Sequence, residues 1–105
     1  MSEILRGSVW RVPTVGRERT VLVVHHDAVI KLHPGGIACL IIQEVENARD
    51  TLLTVPIKHP VRGVVMGSDI HQFRPLRFEQ GKCLGYLGPE DIEGVDRALR
   101  AALDL

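Results

Sequence analysis

Two long, mainly apolar runs, residues 20–24 and 37–45, limit what this chain can fold into. Both are rich in β-branched residues, and runs of this kind suit strands covered on both faces. Neither approaches the roughly 20 residues that a membrane helix needs. Around them lie shorter candidates. Val9-Trp10-Arg11-Val12 is a β-branched and aromatic run that starts near Ser8 and is stopped by Pro13. Residues 14–19 are polar, hold Gly16 and read as a loop. Residues 51–57 are strand-like, and Pro56 points to an edge or a strand end because it cannot donate to a ladder. Residues 63–67 and 82–87 are further short strands, while Pro75 leaves 70–78 ambiguous.

The turns follow from composition. Asp27 can cap a single helical turn through Ala28 to Ile30. His33-Pro34-Gly35-Gly36 reads as a loop, and residues 46–50 as a polar turn. The tail is the clearest helix. Gly88 suits its N-cap and Pro89 its first position, where a missing N–H costs nothing. Glu90 and Asp91 favour the N-terminal dipole. Ile92, Val95, Leu99, Ala102 and Leu103 recur at helical spacing. The expectation is about five short strands curled into a sheet or small barrel, with one helix over an open face.

Length and charge bound the rest. The 105 residues fit one domain over 1–105, with a core thin enough for oligomerisation to be a natural supplement. Thirteen basic residues balance thirteen acidic ones. The balance hides a division: residues 89–105 hold five acids against two arginines, a net of −3, which leaves +3 on the preceding 88. Acid is concentrated on the tail helix, and the loop with Arg17 and Arg19 is locally basic. The neutral total argues against strong unspecific nucleic-acid affinity and for a local site built on a few arginines. Cys39 and Cys83 both sit in apolar stretches, so free buried thiols are expected. The first seven residues lack the apolar stretch of a signal peptide, which predicts a soluble, cytoplasmic chain.

The order of strands and punctuation resembles the MazF/PemK family of toxins. Arg6-Gly7-Ser8-Val9-Trp10 is similar to an opening R-G-x-V-W. Residues 16–24 resemble a glycine–arginine loop running into a V-L-V-V strand, and His25-His26-Asp27 stands where S-N-D is common. Gln72-Phe73-Arg74 resembles a late Q-x-R. Residues 85–92 resemble G-x-L-S-P-E-D-L, followed by V-x-x-A-L at Val95 to Leu99. The resemblance runs over nearly the whole chain. It implies a mainly β fold, a small SH3-like five-stranded barrel of the MazF/PemK/CcdB type with a C-terminal α-helix. It also implies a homodimer that cuts single-stranded RNA at short sequences and is blocked by a cognate antitoxin. The implied chemistry uses no metal or cofactor: a ribose 2′-OH attacks the adjacent phosphodiester and leaves a cyclic phosphate and a 5′-hydroxyl.

Such a reaction needs proton-transferring groups and cations for the phosphorane charge. Arg19 matches the loop arginine, and its guanidinium fork suits a phosphate. Arg74 matches the arginine of Q-x-R and would assist. The family has a Thr or Ser after the third strand. Gln43 or Glu44 stands there, and Gln43 would donate in its place. Arg17, His25, His71 and Gln72 complete the candidate RNA contacts. The ordinary alternatives are a solvated loop arginine for Arg17 and a surface histidine for His71. His25 and His26 are adjacent, so on a strand they point to opposite faces. None of the histidines, cysteines or acids has paired zinc spacing, so structural roles are expected for them. Trp10 is expected in packing rather than base stacking. The missing hydroxyl motivates a second reading, a non-catalytic SH3-like or CcdB-like module that acts on a protein or peptide.

Overall fold

The structure, a computed structural model, describes residues 3–32, 35–44 and 52–103. Strands β1 (Ser8–Thr14), β2 (Arg17–Val23), β3 (Ile37–Gln43), β4 (Thr54–Ile57), β5 (Gly63–Phe73) and β6 (Lys82–Tyr86) form one antiparallel sheet in the order β4-β5-β3-β2-β1-β6. Three helices interrupt or follow them: α1 (Asp27–Lys31), α2 (Pro75–Glu79) and α3 (Pro89–Leu103). The expected mainly β chain with a C-terminal helix is what forms, with six strands rather than five.

The two apolar runs become β2 and β3 near the middle of the sheet, and both of their faces are covered. Val9, Leu22, Leu40, Ile42 and Val65 pack on one face with Val95 and Ala98 of α3. Trp10, Val12, Val21, Val23, Cys39 and Ile41 pack on the other with Phe78 of α2. Continuous burial along β2 and β3 is the reason their sequences do not alternate. At the start of α3, the Ile92 N–H donates to the Gly88 carbonyl at 3.1 Å, as the Gly-Pro pair predicts. Pro56 lies in β4, which is an edge and pairs only with β5.

Several local readings are corrected. The loop expected over 14–19 shrinks to Val15 and Gly16, because Thr14 already pairs with Arg17. Gly16 has φ +86, a left-handed value that favours glycine at this tight turn. The cap of α1 is His26, whose Nδ1 accepts from the Ala28 N–H at 3.1 Å. Asp27 instead accepts from the Arg6 N–H at 2.7 Å. Pro75 starts α2 at its first turn rather than merely breaking a strand.

The segment expected as a short strand over 63–67 extends to Phe73. A register shift divides it, with Ile42 opposite Val65 but Leu40 opposite Ile70. Residues 66–69 are therefore bunched beside Ile41, which bends the strand around α3. Gly67 makes that approach possible, since a Cβ there would lie 2.6 Å from the Ala98 carbonyl oxygen. Its N–H donates to the Leu53 carbonyl at 2.7 Å. His33, Pro34 and the expected polar turn over 46–50 lie outside the described residues.

Candidate nucleic-acid interface

The β1–β2 hairpin positions the leading arginine. Val12 pairs with Arg19, and Val21 pairs with Ile41 of β3. Side chains alternate along a strand, so Arg17 and Arg19 share the face of Val21 and Val23. The same register sets Gln43 across from Arg19 on that face. Arg17 and Gln43 are exposed and Arg19 is half-buried. None of the three makes a side-chain hydrogen bond or ion pair with another described residue. An arginine held at a strand start without a carboxylate keeps its donors for an anion.

The opposite face of this sheet end is already saturated. Glu44 Oε1 accepts from Thr20 Oγ1 at 3.1 Å and from Arg11 Nη2 at 3.1 Å. The arrangement pairs Arg11, while Arg17 and Arg19 make no ion pair among the described residues. No residue-by-residue reading predicts it, because it depends on the β2–β3 register.

The remaining candidates gather at the other end of the strands. Cys39 pairs with both Val23 and His71, and Ile37 pairs with Phe73, after which come Arg74 and α2. From Arg19 to the Ile37 row is six residue steps, about 20 Å along the strands. Within one protomer, Arg19 and Arg74 thus do not converge on one phosphate. His71 Nε2 lies 2.7 Å from Asp69 Oδ1, and its ring stacks on Phe73 with centroids 6.4 Å apart. Asp69 was not among the sequence candidates. The two-residue spacing that puts it on the face of His71 was the available signal. Gln72 and Arg74 are exposed beside this pair.

His25 has a local bond. Its Nδ1 accepts from the Ala38 N–H at 3.1 Å, which fastens the exit of β2 to β3 and leaves Nε2 as the protonated nitrogen. Trp10 is buried, donates from Nε1 to Ser8 Oγ at 2.9 Å and meets Phe78 edge-on at 5.4 Å, so it packs rather than stacks on bases. Cys39 is fully buried, and burial pushes its thiol up to about 12. Cys83 is only half-buried, unlike the expectation. Among the described residues no three His, Cys, Asp or Glu side chains come together to hold a metal ion. No helix among them is long and apolar enough to cross a membrane.

A family model described as PemK-like, MazF-like toxin of type II toxin–antitoxin system matches residues 5–103. No curated protein is significantly similar to the chain. Among solved structures, an endoribonuclease in complex with its cognate antitoxin from a mycobacterial species is similar with a TM-score of 0.84 and 22% identity, over 100% of this chain and 97% of that one. A mycobacterial endoribonuclease gives 0.84 and 23%, over 100% and 95%. A MazE–MazF complex from Deinococcus radiodurans gives 0.81 and 16%, over 100% and 99%. At such identities the likeness speaks for the fold. The family match favours the toxin reading over the protein-binding one.

Proposed function

Because the chain belongs to the PemK-like, MazF-like toxins of type II toxin–antitoxin systems, we propose that it cuts single-stranded RNA and is held in check by an antitoxin. The observation that carries this reading is Arg19, free of any described carboxylate at the mouth of the hairpin and facing the same way as Gln43. Arg19 binds the scissile phosphate with two parallel donors and stabilises the phosphorane charge. The Gln43 amide donates a further hydrogen bond in place of the family hydroxyl. The ribose 2′-OH is the nucleophile, so the protein supplies position and charge rather than a covalent intermediate. Arg74, Gln72, His71 and His25, at the far end of the strands, contact the RNA further along, and Arg17 contacts its backbone. The similar structures solved with antitoxins support a partner of that kind here, and the working unit is a homodimer in the cytoplasm.

The test is a long single-stranded RNA incubated with the protein in EDTA. Fragments with 5′-hydroxyl ends are expected. Arg19→Ala loses at least about 100-fold in cutting rate, the scale of one removed charge-stabilising group. Absence of cutting at high protein excess overturns the nuclease reading and leaves a module that acts by binding alone.

A further inference from the structure

The end of the sheet that carries Arg19 and Gln43 also carries two cations that are not among the sequence candidates. Lys58 follows β4 and Arg62 precedes β5. Ile57 pairs with Gly63 and Pro56 with Val64, so Lys58 and Arg62 flank the 59–61 loop on facing strands. Gln43 also pairs with Val64. Pairing and alternation therefore place Lys58 and Arg62 on the face of Val64 and Gln43, which is the face of Arg17 and Arg19. The chain runs tight against Gln43 here, since a Cβ on Gly63 would lie 2.6 Å from the Gln43 carbonyl oxygen. Arg19 and Arg62 stand on either side of β3, roughly 10 Å apart across two strand spacings.

Charge is sorted by face. Glu18, between the two arginines, and Glu44, after Gln43, alternate to the other side. There Glu44 holds Arg11 and Thr20. On the cation face, Asp69 is engaged by His71, and Glu79 lies on α2 beside the β1–β6 edge. Lys58 and Arg62 are exposed, and neither makes an ion pair with another described residue. The loop between them is anchored. A Cβ on Gly85 of β6 would lie 2.9 Å from Pro60 Cβ, and Val61 packs against the core cluster beneath α3. The two cations are thus held at fixed places, which lowers the ordering cost of binding.

From this arrangement we infer that Lys58 and Arg62 form a second phosphate clamp for single-stranded RNA, across Gln43 from Arg19. The inference rests on reading Arg19 and Gln43 as the site of the scissile phosphate. Arg62 takes a neighbouring phosphate with its guanidinium fork, and Lys58 meets the charge beyond as a point cation. The phosphates cross the strand ends from β2 to β4, so the bond to be cut is held from both sides of Gln43. RNA is favoured over an acidic peptide because the two cations continue the Arg19 site along a strand charged at every residue. The clamp grips ground state and transition state alike, so it acts on KM rather than on kcat.

The probe is a fluorescein-labelled 2′-O-methyl RNA of mixed sequence, which has no 2′-OH to attack and stays intact. Its affinity for the full chain is read by anisotropy over a range of salt. Lys58→Gln, Arg62→Gln and the double variant are compared with Arg100→Gln, an exposed arginine on α3. Each single clamp variant is expected to lower the slope of log affinity against log salt by about 0.7, and the double variant by about 1.4. Arg100→Gln leaves the slope unchanged. In the cutting assay the double variant raises KM and leaves kcat unchanged. Binding with these slopes but without cutting keeps the clamp and removes only the nuclease reading. An unchanged slope in the double variant, where Arg19→Ala lowers its own, overturns the clamp and leaves the Arg19 site standing. An equal fall in Arg100→Gln also overturns it, since any surface charge then does the same. Competition by oligoglutamate as strong as by unlabelled RNA assigns the cations to an acidic peptide instead. No RNA binding by the wild-type chain overturns both readings.

Discussion

Cys39 and His25 take opposite roles within a few ångströms of the β2 exit. Cys39 is a fully buried thiol pushed up to about 12 by burial. Its folded-state value lies above that of the unfolded chain, so its neutral form contributes stability that is intact below about pH 9 and is lost as pH rises towards 12. Chemical denaturation across that window is expected to show stability falling by up to roughly 1.4 kcal/mol per pH unit. Cys39→Ala is expected to flatten that dependence. An equal slope in the variant would assign the loss to other groups. His25 is a polar bridge: replacing it with alanine leaves the Ala38 N–H without its acceptor. A cost of about 1 kcal/mol is expected in the same denaturation assay. Neither role follows from residue type alone. The apolar neighbours of Cys39 showed its burial, whereas the partner of His25 emerges only when β3 returns beside β2.

At the level of elements, the bend of β5 is the most exacting feature. A methyl group at Gly67 would sit 2.6 Å from the Ala98 carbonyl oxygen, against helix backbone that has little room to move. Gly67→Ala is therefore expected to destabilise the fold by roughly 1–3 kcal/mol, read as a lowered denaturation midpoint. Gly35→Ala is the control, because nothing lies within 4 Å of a Cβ there and its backbone is not left-handed. The sequence made β2, β3 and α3 legible, since short β-branched apolar runs between turn signals favour buried strands and a stripe at helical spacing favours a helix. It did not reveal the length of β5, because bunching four residues opposite one breaks the period that marks a strand. Nor did it reveal α2, since proline both ends strands and begins helices. The candidate site was less legible. Arg19 and Gln43 were named through the family resemblance, and their shared face, the distance of Arg74 and the Asp69–His71 contact depend on strand pairing that no single segment reveals.

For the whole molecule, neutrality and division of charge act together. Acidic α3 covers one face of the sheet, Glu44 neutralises Arg11, and Arg17 and Arg19, on the other face, pair with no carboxylate among the described residues. RNA binding is thus expected to show a shallow salt dependence, with each phosphate contact adding a slope of about 0.7 in log affinity against log salt. Arg19→Ala is expected to lower the measured slope by roughly that amount. An unchanged slope would mean that Arg19 touches no phosphate. The sheet also joins its first strand to its last: Ser8 of β1 pairs with Tyr86 of β6, and α3 then seals the first core cluster. Synthesis on the ribosome runs from β1 to α3, so the nascent chain holds its hairpin long before it can close its edge. A ribosome-stalled chain ending at Leu87 should therefore be readily cut by protease, and one that has cleared the exit tunnel should not. The fold closes only once α3 has emerged, so any activity that needs the closed sheet begins only after this whole domain has been made.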